Sequence, residues 1–219
     1  MPKLGVEEER KEKIMMAARL CFARKGYDLT TIEDIITESS ISKGGIYYWF
    51  NNKHEIFLTL LELWVEDVTA HFQKVSEAPA DFFQRLEALT RIAGELVKQE
   101  EELARRYNFD VMGRLFVQFL HQAMVDPTVQ AQLEKMYSFL DSLHARLIRE
   151  AIDVGQIRAV DAESVALLIT AVYDGVNIRA MADRRALDRR RLNRVFLELF
   201  KAYLSNEAGD VKGGLSAGY

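Results

Sequence analysis

Ser42-Lys43-Gly44-Gly45-Ile46-Tyr47-Tyr48-Trp49-Phe50 reads as a very short helix whose composition makes sense only against a partner. Two glycines and three consecutive aromatics are poor material for an isolated surface helix, because glycine costs about 1 kcal/mol relative to alanine. Ser42 can cap this helix, and Ile46 and Phe50, four apart, share a face that a core can bury. Lys43, Gly44, Tyr47 and Tyr48 are then left to face outward. Directly afterwards, Asn51-Asn52-Lys53-His54-Glu55 gives the start of another helix, with Asn52 and Glu55 at capping spacing.

Upstream, Ile14, Ala18, Cys21 and Phe22 recur at helical spacing, which predicts a first helix from about Glu7 to Lys25, ended by Gly26. Thr30 and Glu33 form an expected capping box for a second short helix that buries Ile32, Ile35 and Ile36. Ser39 and Ser40 mark the turn, and Ile41 plugs it into the core. This is a helix-turn-helix pattern, in which one helix face is buried and the other lies in a groove about 12 Å wide. In that setting Thr31 and Ser42 can offer hydroxyls to phosphates, and Tyr47 can extend its phenol to the DNA backbone. Lys43 can reach phosphate or guanine. Gly44 and Gly45 permit close approach to base edges. Lys53 stands in the first turn of the next helix, where unpaired amides already favour an anion. Trp49 is expected to pack within the protein.

The fourth helix should run from Lys53 to about Val75, with Ile56, Leu60, Leu61, Trp64 and Val68 as its apolar stripe. Composition changes after Pro79. Longer helices rich in aromatics and methionine are expected near Ala80–Lys98, Leu103–Met124, Pro127–Val154, Ala162–Met181 and Arg185–Leu204. Asp126-Pro127 is a cap followed by proline at the first helical position, and Gly155 is a terminator. No period-two strand pattern is sustained, so the chain is expected to be all-α: residues 1–53 a helix-turn-helix domain, 54–205 a larger helical domain, 206–219 a flexible tail with four glycines.

With 219 residues, 49% of them hydrophobic, the chain can bury a large core. Cys21 is the single cysteine, which excludes an internal disulfide framework and removes the case for a cysteine-rich zinc site. Its apolar neighbours make it a small buried hydrophobe. The N-terminus is acidic where a secretory signal needs an apolar run, and no stretch reaches about 20 apolar residues. A cytoplasmic protein without membrane attachment is expected. The formal charge of −4 looks wrong for a DNA binder, but residues 1–53 hold nine Lys or Arg against eight Asp or Glu, a net of +1. Affinity would have to come from local placement of Lys43 and Lys53, doubled by dimer symmetry.

Residues 10–56 resemble the DNA-binding domain of the TetR family of bacterial transcriptional regulators. The matching framework is Ile14, Ala17-Ala18, Phe22, Gly26-Tyr27, Thr30-Thr31-Ile32, Asp34-Ile35, Ile41-Ser42-Lys43-Gly44, Ile46-Tyr47, Phe50 and Lys53. The resemblance implies phosphate contacts from Thr31, Ser42, Tyr47 and Lys53 and base contacts from the Lys43–Tyr48 stretch. It further implies a homodimeric repressor on double-stranded operator DNA, released by a small ligand. Two positions depart from the family pattern: Ser40 stands where glycine is common, and Gly45 where alanine, serine or threonine is usual. Ser40 could therefore carry a left-handed conformation, and consecutive glycines should loosen the recognition helix.

In the larger domain, an effector pocket between bundled helices would draw on Tyr107, Met112, Phe116, Phe119, Met136 and Tyr137, with His121, Tyr173 and Asn177 among its polar groups. The segment offers few buried charges, which favours a mostly apolar effector. Val165, Leu168, Val172 and Val176 on one helix and Leu192, Phe196 and Leu199 on the last would meet their symmetry mates in a four-helix dimer interface; the same stripes can also pack within one subunit. The four histidines show no paired metal spacing, so no metal or cofactor is expected. Nothing fixes a Ser, His and Asp constellation, so no enzyme is expected either. A ligand-responsive repressor is the leading function; an activator, or an adaptor that keeps the fold without binding DNA, is the alternative.

Overall fold

A computed structural model describes residues 4–90, 111–182 and 188–205, and all regular structure among them is helical. The helices are α1 (Leu4–Lys25), α2 (Ile32–Ser39), α3 (Lys43–Trp49), α4 (Lys53–Ser76), α5 (residues 82–90), α6 (Val111–Ala123), α7 (Pro127–Asp153), α8 (Ala162–Ala182) and α9 (Arg189–Leu204). The expected tail, together with Tyr107 and Arg185, lies outside the described residues.

α1 to α3 form a compact head around Ile14, Ala18, Phe22, Ile35, Ile46 and Phe50, all buried. Gly26 takes φ +82° and its N–H donates to the Phe22 carbonyl at 2.9 Å, ending α1 as its position predicts. The capping box of α2 sits one residue later than expected. Thr31 is the N-cap, its hydroxyl accepting from the Asp34 N–H at 3.2 Å, while the Asp34 carboxylate accepts from the Thr31 N–H at 3.0 Å. Thr30 is instead buried, its hydroxyl donating to the Gly26 carbonyl at 2.7 Å. Those bonds and the Lys25 ammonium hold the Asp34 carboxyl down to about 2, the ammonium contributing most. Arg24 with Glu38 (2.6 Å) and Lys25 with Asp34 fasten α1 to α2.

Ser40 closes α2 in the left-handed region at φ 55°, ψ 24°. A non-glycine residue pays about 1 kcal/mol there, so Ser40→Gly should raise the stability of the head by about that amount. Thermal denaturation of the variant beside the parent chain checks this; an unchanged or lowered midpoint would contradict it.

α4 leaves the head and becomes the spine of the larger domain, packing on α7. α7 and α8 pair antiparallel, as their contacts show: Asp141 meets Thr170 near the middle, and Arg149 pairs with Glu163 nearer the outer end. Asp126 caps α7 through the Thr128 N–H (2.8 Å), with Pro127 behind it, and Gly155 follows its end at φ +72°. α9 begins at Arg189, where the Asp188 carboxylate accepts from the Arg191 N–H at 3.1 Å and sets the start. Its far end is tied to the α7–α8 joint, where the Arg158 N–H donates to the Leu204 carbonyl at 3.0 Å and its guanidinium stacks on Tyr203. No described helix is long and apolar enough to cross a membrane.

Candidate nucleic-acid interface

α3 is capped by Ser42, whose hydroxyl accepts from the Gly45 N–H at 3.3 Å. Ile46 and Phe50 face the core as their spacing predicts, and Ser42, Lys43, Gly44, Tyr47 and Tyr48 form an exposed row. Trp49 is half-buried on the core, with the Tyr48 ring edge-on to it at 5.2 Å and the Lys11 ammonium over it. The two glycines differ sharply. A Cβ on Gly44 would meet nothing within 4 Å, whereas one on Gly45 would come within 2.7 Å of the Ile41 side chain. Gly45 therefore serves packing: it lets the turn residue Ile41 seat against α3. The sequence pattern assigns Gly45 close approach to base edges and a loosened helix, and it does not announce this packing against Ile41.

The charged groups are partly engaged within the head. Lys43 stands 3.6 Å from Glu33, both well exposed, and lies over the Tyr47 ring. An exposed pair of that length stabilises little and can exchange for a phosphate. Lys53 is more committed. Its ammonium donates to the carbonyls of Tyr27 (2.7 Å) and Asp28 (3.2 Å) and sits 4.4 Å from the Tyr27 ring centre. Burial lowers its pKa, opposed by the Asp28 charge. An ammonium has three protons, so one remains for an anion. Nothing in the sequence pattern announced this clamp between the start of α4 and the turn after α1. Asn52 caps α4 through the Glu55 N–H at 2.9 Å.

The head is joined to the larger domain by a mixed contact. Phe57 meets Phe119 edge-on at 5.1 Å, and Trp64 stacks near Phe116 and Phe119. The Tyr27 N–H donates to Gln118 at 3.0 Å, the Gln122 amide donates to Asp28 at 3.4 Å, and His54 lies 3.4 Å from Asp126.

Of the expected effector residues, Phe116, Phe119 and Met136 are buried, and Met112, Tyr137 and Tyr173 half-buried. Phe116 and Phe119 serve the α4–α6 contact just described. His121, expected among the polar groups, is exposed on α6. Tyr107 and the side chain of Asn177 lie outside the described residues. An open groove of about 340 Å³ between α5 and the end of α7, lined by Phe82, Arg85, Leu147 and Glu150 among others, involves none of these positions. Of the expected dimer residues, Leu168, Val172 and Leu199 are exposed, and Val176 and Leu192 half-exposed. Val165 and Phe196 are 4% and 9% exposed within the single chain. Phe196 packs between Tyr173 and Phe200. Burial pushes the Cys21 thiol up to about 11, as befits a packed hydrophobe. Among the described residues no group of three His, Cys, Asp or Glu could hold a metal ion.

Comparison with known proteins agrees with this arrangement. Residues 14–60 match the family model of bacterial regulatory proteins, tetR family, and residues 87–205 match that of the BetI-type transcriptional repressor, C-terminal. The repressor AcnR of Corynebacterium jeikeium is 31% identical over 180 residues, covering 80% of this chain and 85% of that protein. The uncharacterized regulator YfiR of Bacillus subtilis is 26% identical over 178 residues, covering 80% and 82% respectively. Among solved structures, a putative transcriptional regulator from Saccharomonospora viridis in complex with choline aligns at TM-score 0.75 with 23% identity, covering 90% of this chain and 98% of that one. A complex of SmeT with triclosan aligns at 0.73 with 20% identity, covering 96% and 99%.

Proposed function

The chain belongs to the TetR family of bacterial regulatory proteins, and on that premise we propose that it is a homodimeric transcriptional repressor, bound to a palindromic operator through α3 and released by a mostly apolar small molecule. The observation that carries this reading is the exposed row of Lys43, Gly44, Tyr47 and Tyr48 on a helix pinned from behind by Ile46 and Phe50. Gly44, open around its Cα, brings backbone to the base edges, and Tyr47, Ser42 and Thr31 reach phosphates. Lys53 donates its third N–H to a phosphate oxygen while the other two hold the turn. The departures at Ser40 and Gly45, which alone could have suggested an adaptor, are both absorbed by local structure and leave the outward face intact.

In the dimer, the exposed apolar side chains of α8 and α9 meet their symmetry mates and place two α3 helices in successive major grooves, about 34–36 Å apart. An effector held between the larger helices shifts α6 against α4 through Phe119, Phe57 and Trp64, and the heads lose register with the grooves. Such release requires the effector to prefer the non-binding state by a few kcal/mol.

Two variants test the DNA face. Tyr47→Phe removes a hydrogen bond to a charged oxygen and should weaken binding by roughly 1–2 kcal/mol with the fold unchanged. Lys53→Ala should weaken binding to every sequence alike and lower the salt slope by about one unit per subunit. Gel shifts across a salt series, on protein shown to be folded by circular dichroism, read both. Unchanged binding in the two variants would place the DNA face elsewhere.

A further inference from the structure

The turn that ends α1 lies between two partners that are distant from it in the chain. On one side stands Lys53, whose ammonium donates to the carbonyls of Tyr27 (2.7 Å) and Asp28 (3.2 Å). On the other stands α6 of the larger domain. Its Gln118 side-chain oxygen accepts from the Tyr27 N–H at 3.0 Å, and the amide of buried Gln122 donates to the Asp28 carboxylate at 3.4 Å. Tyr27 and Asp28 thus each turn one polar group to Lys53 and another to α6. The same turn also adjoins the start of α2. The Tyr27 carbonyl accepts from the Thr30 N–H at 3.3 Å, and Thr31, the N-cap of α2, follows directly.

Space at the turn is matched to Gln118. A Cβ at Gly26 would come within 3.3 Å of the Gln118 side-chain oxygen, so the α6 amide bears on bare backbone with little slack. The geometry at Lys53 makes this fit matter. An ammonium carries three N–H donors in a tetrahedral array, so holding two of them on carbonyls fixes the direction of the third. A hydrogen bond weakens steeply as its angle closes, even where charge makes it strong. Moving the turn therefore re-aims the N–H that Lys53 has left for DNA.

We propose that Gln118, with Gln122 beside it, is a positioning residue for DNA binding: through the Tyr27–Asp28 turn, α6 sets the aim of the Lys53 ammonium at its phosphate. A movement of α6 then acts on a DNA contact by a polar route, separate from the stack of Phe119, Phe57 and Trp64 and needing no tilt of the whole head. Four hydrogen bonds make up the route, two on each side of the turn. This coupling rests on the reading of Lys53 as a phosphate contact and names the residues that govern it.

Gel shifts across a salt series test the coupling with the full-length parent, Gln118→Leu, Gln118→Glu, Lys53→Ala and the Lys53→Ala/Gln118→Leu double variant. One duplex carries the segment beside the protein's own gene, and an unrelated duplex of equal length accompanies it. Gln118→Leu is similar in size but has no acceptor. It should weaken binding to both duplexes about fivefold and lower the salt slope toward that of Lys53→Ala. Gln118→Glu keeps the acceptor oxygen and should hold the parent slope. In the Lys53→Ala background the leucine should add nothing, because the group it aims is gone. A Gln118 that only supports the fold would lower the thermal midpoint, leave the salt slope alone and multiply with Lys53→Ala. A leucine variant with the parent slope, effects that multiply in the double variant, or a glutamate variant as impaired as the leucine would each overturn the proposal while the phosphate reading stands. Lys53→Ala with the parent slope would instead remove the phosphate reading, and this coupling with it.

Discussion

A Leu168→Arg/Leu199→Arg double variant is expected to sediment as a monomer and to lose about a hundredfold or more in operator affinity, while each subunit keeps its fold. Leu168 is 58% exposed and Leu199 64% exposed in the single chain, so neither supports the subunit core. In a symmetric four-helix contact, each substitution appears twice and places unpaired charge in an apolar interface, which association cannot offset. The DNA penalty follows from linkage. Two heads joined by the dimer bind the second half-site at high effective concentration, and severing them forfeits a gain of about 10²–10⁴. The choice of residues matters. Val165 and Phe196 lie on the same helices but are buried within the subunit, so charging them would unfold the chain and say nothing about assembly. Sedimentation at micromolar concentration, with circular dichroism to confirm helicity, checks the prediction. A double variant that remains dimeric would place the interface elsewhere.

Phe119→Ala is expected to cost about 3–5 kcal/mol of unfolding free energy. The ring is fully buried, meets Phe57 at 5.1 Å and Trp64 at 5.7 Å, and stands where α6 of the larger domain grips α4. Its removal leaves a cavity between the elements that join head and body, and the polar links from Tyr27 to Gln118 and from Asp28 to Gln122 are too few to close it. Denaturant unfolding should show a lower midpoint, with the head and the body beginning to separate into two transitions. A loss below about 1 kcal/mol would mean that the contact relaxes freely and cannot transmit movement.

The head was legible in the sequence because its signals are local. Ser42, Asn52, Asp126 and Gly26 act within a turn of their own positions, and Ile46 with Phe50 obeys helical spacing. Where adjacent residues offered the same chemistry twice, the register could not be read. Thr30-Thr31 and Glu33-Asp34 give two capping boxes of equal spacing, and burial of Thr30 against Gly26 decides between them. The Lys53 clamp, the exposure of His121 and the burial of Phe196 depend on packing between elements distant in the chain, which no period encodes.

The most direct measurement is a footprint of DNA flanking the protein's own gene, with folded protein at low salt. Two protected half-sites are expected, related by approximate two-fold symmetry, their centres about one helical turn or a multiple of it apart. Protection should weaken as salt rises and be lost in the Leu168→Arg/Leu199→Arg variant. No protection of any segment by folded, dimeric protein at low salt would contradict the repressor reading.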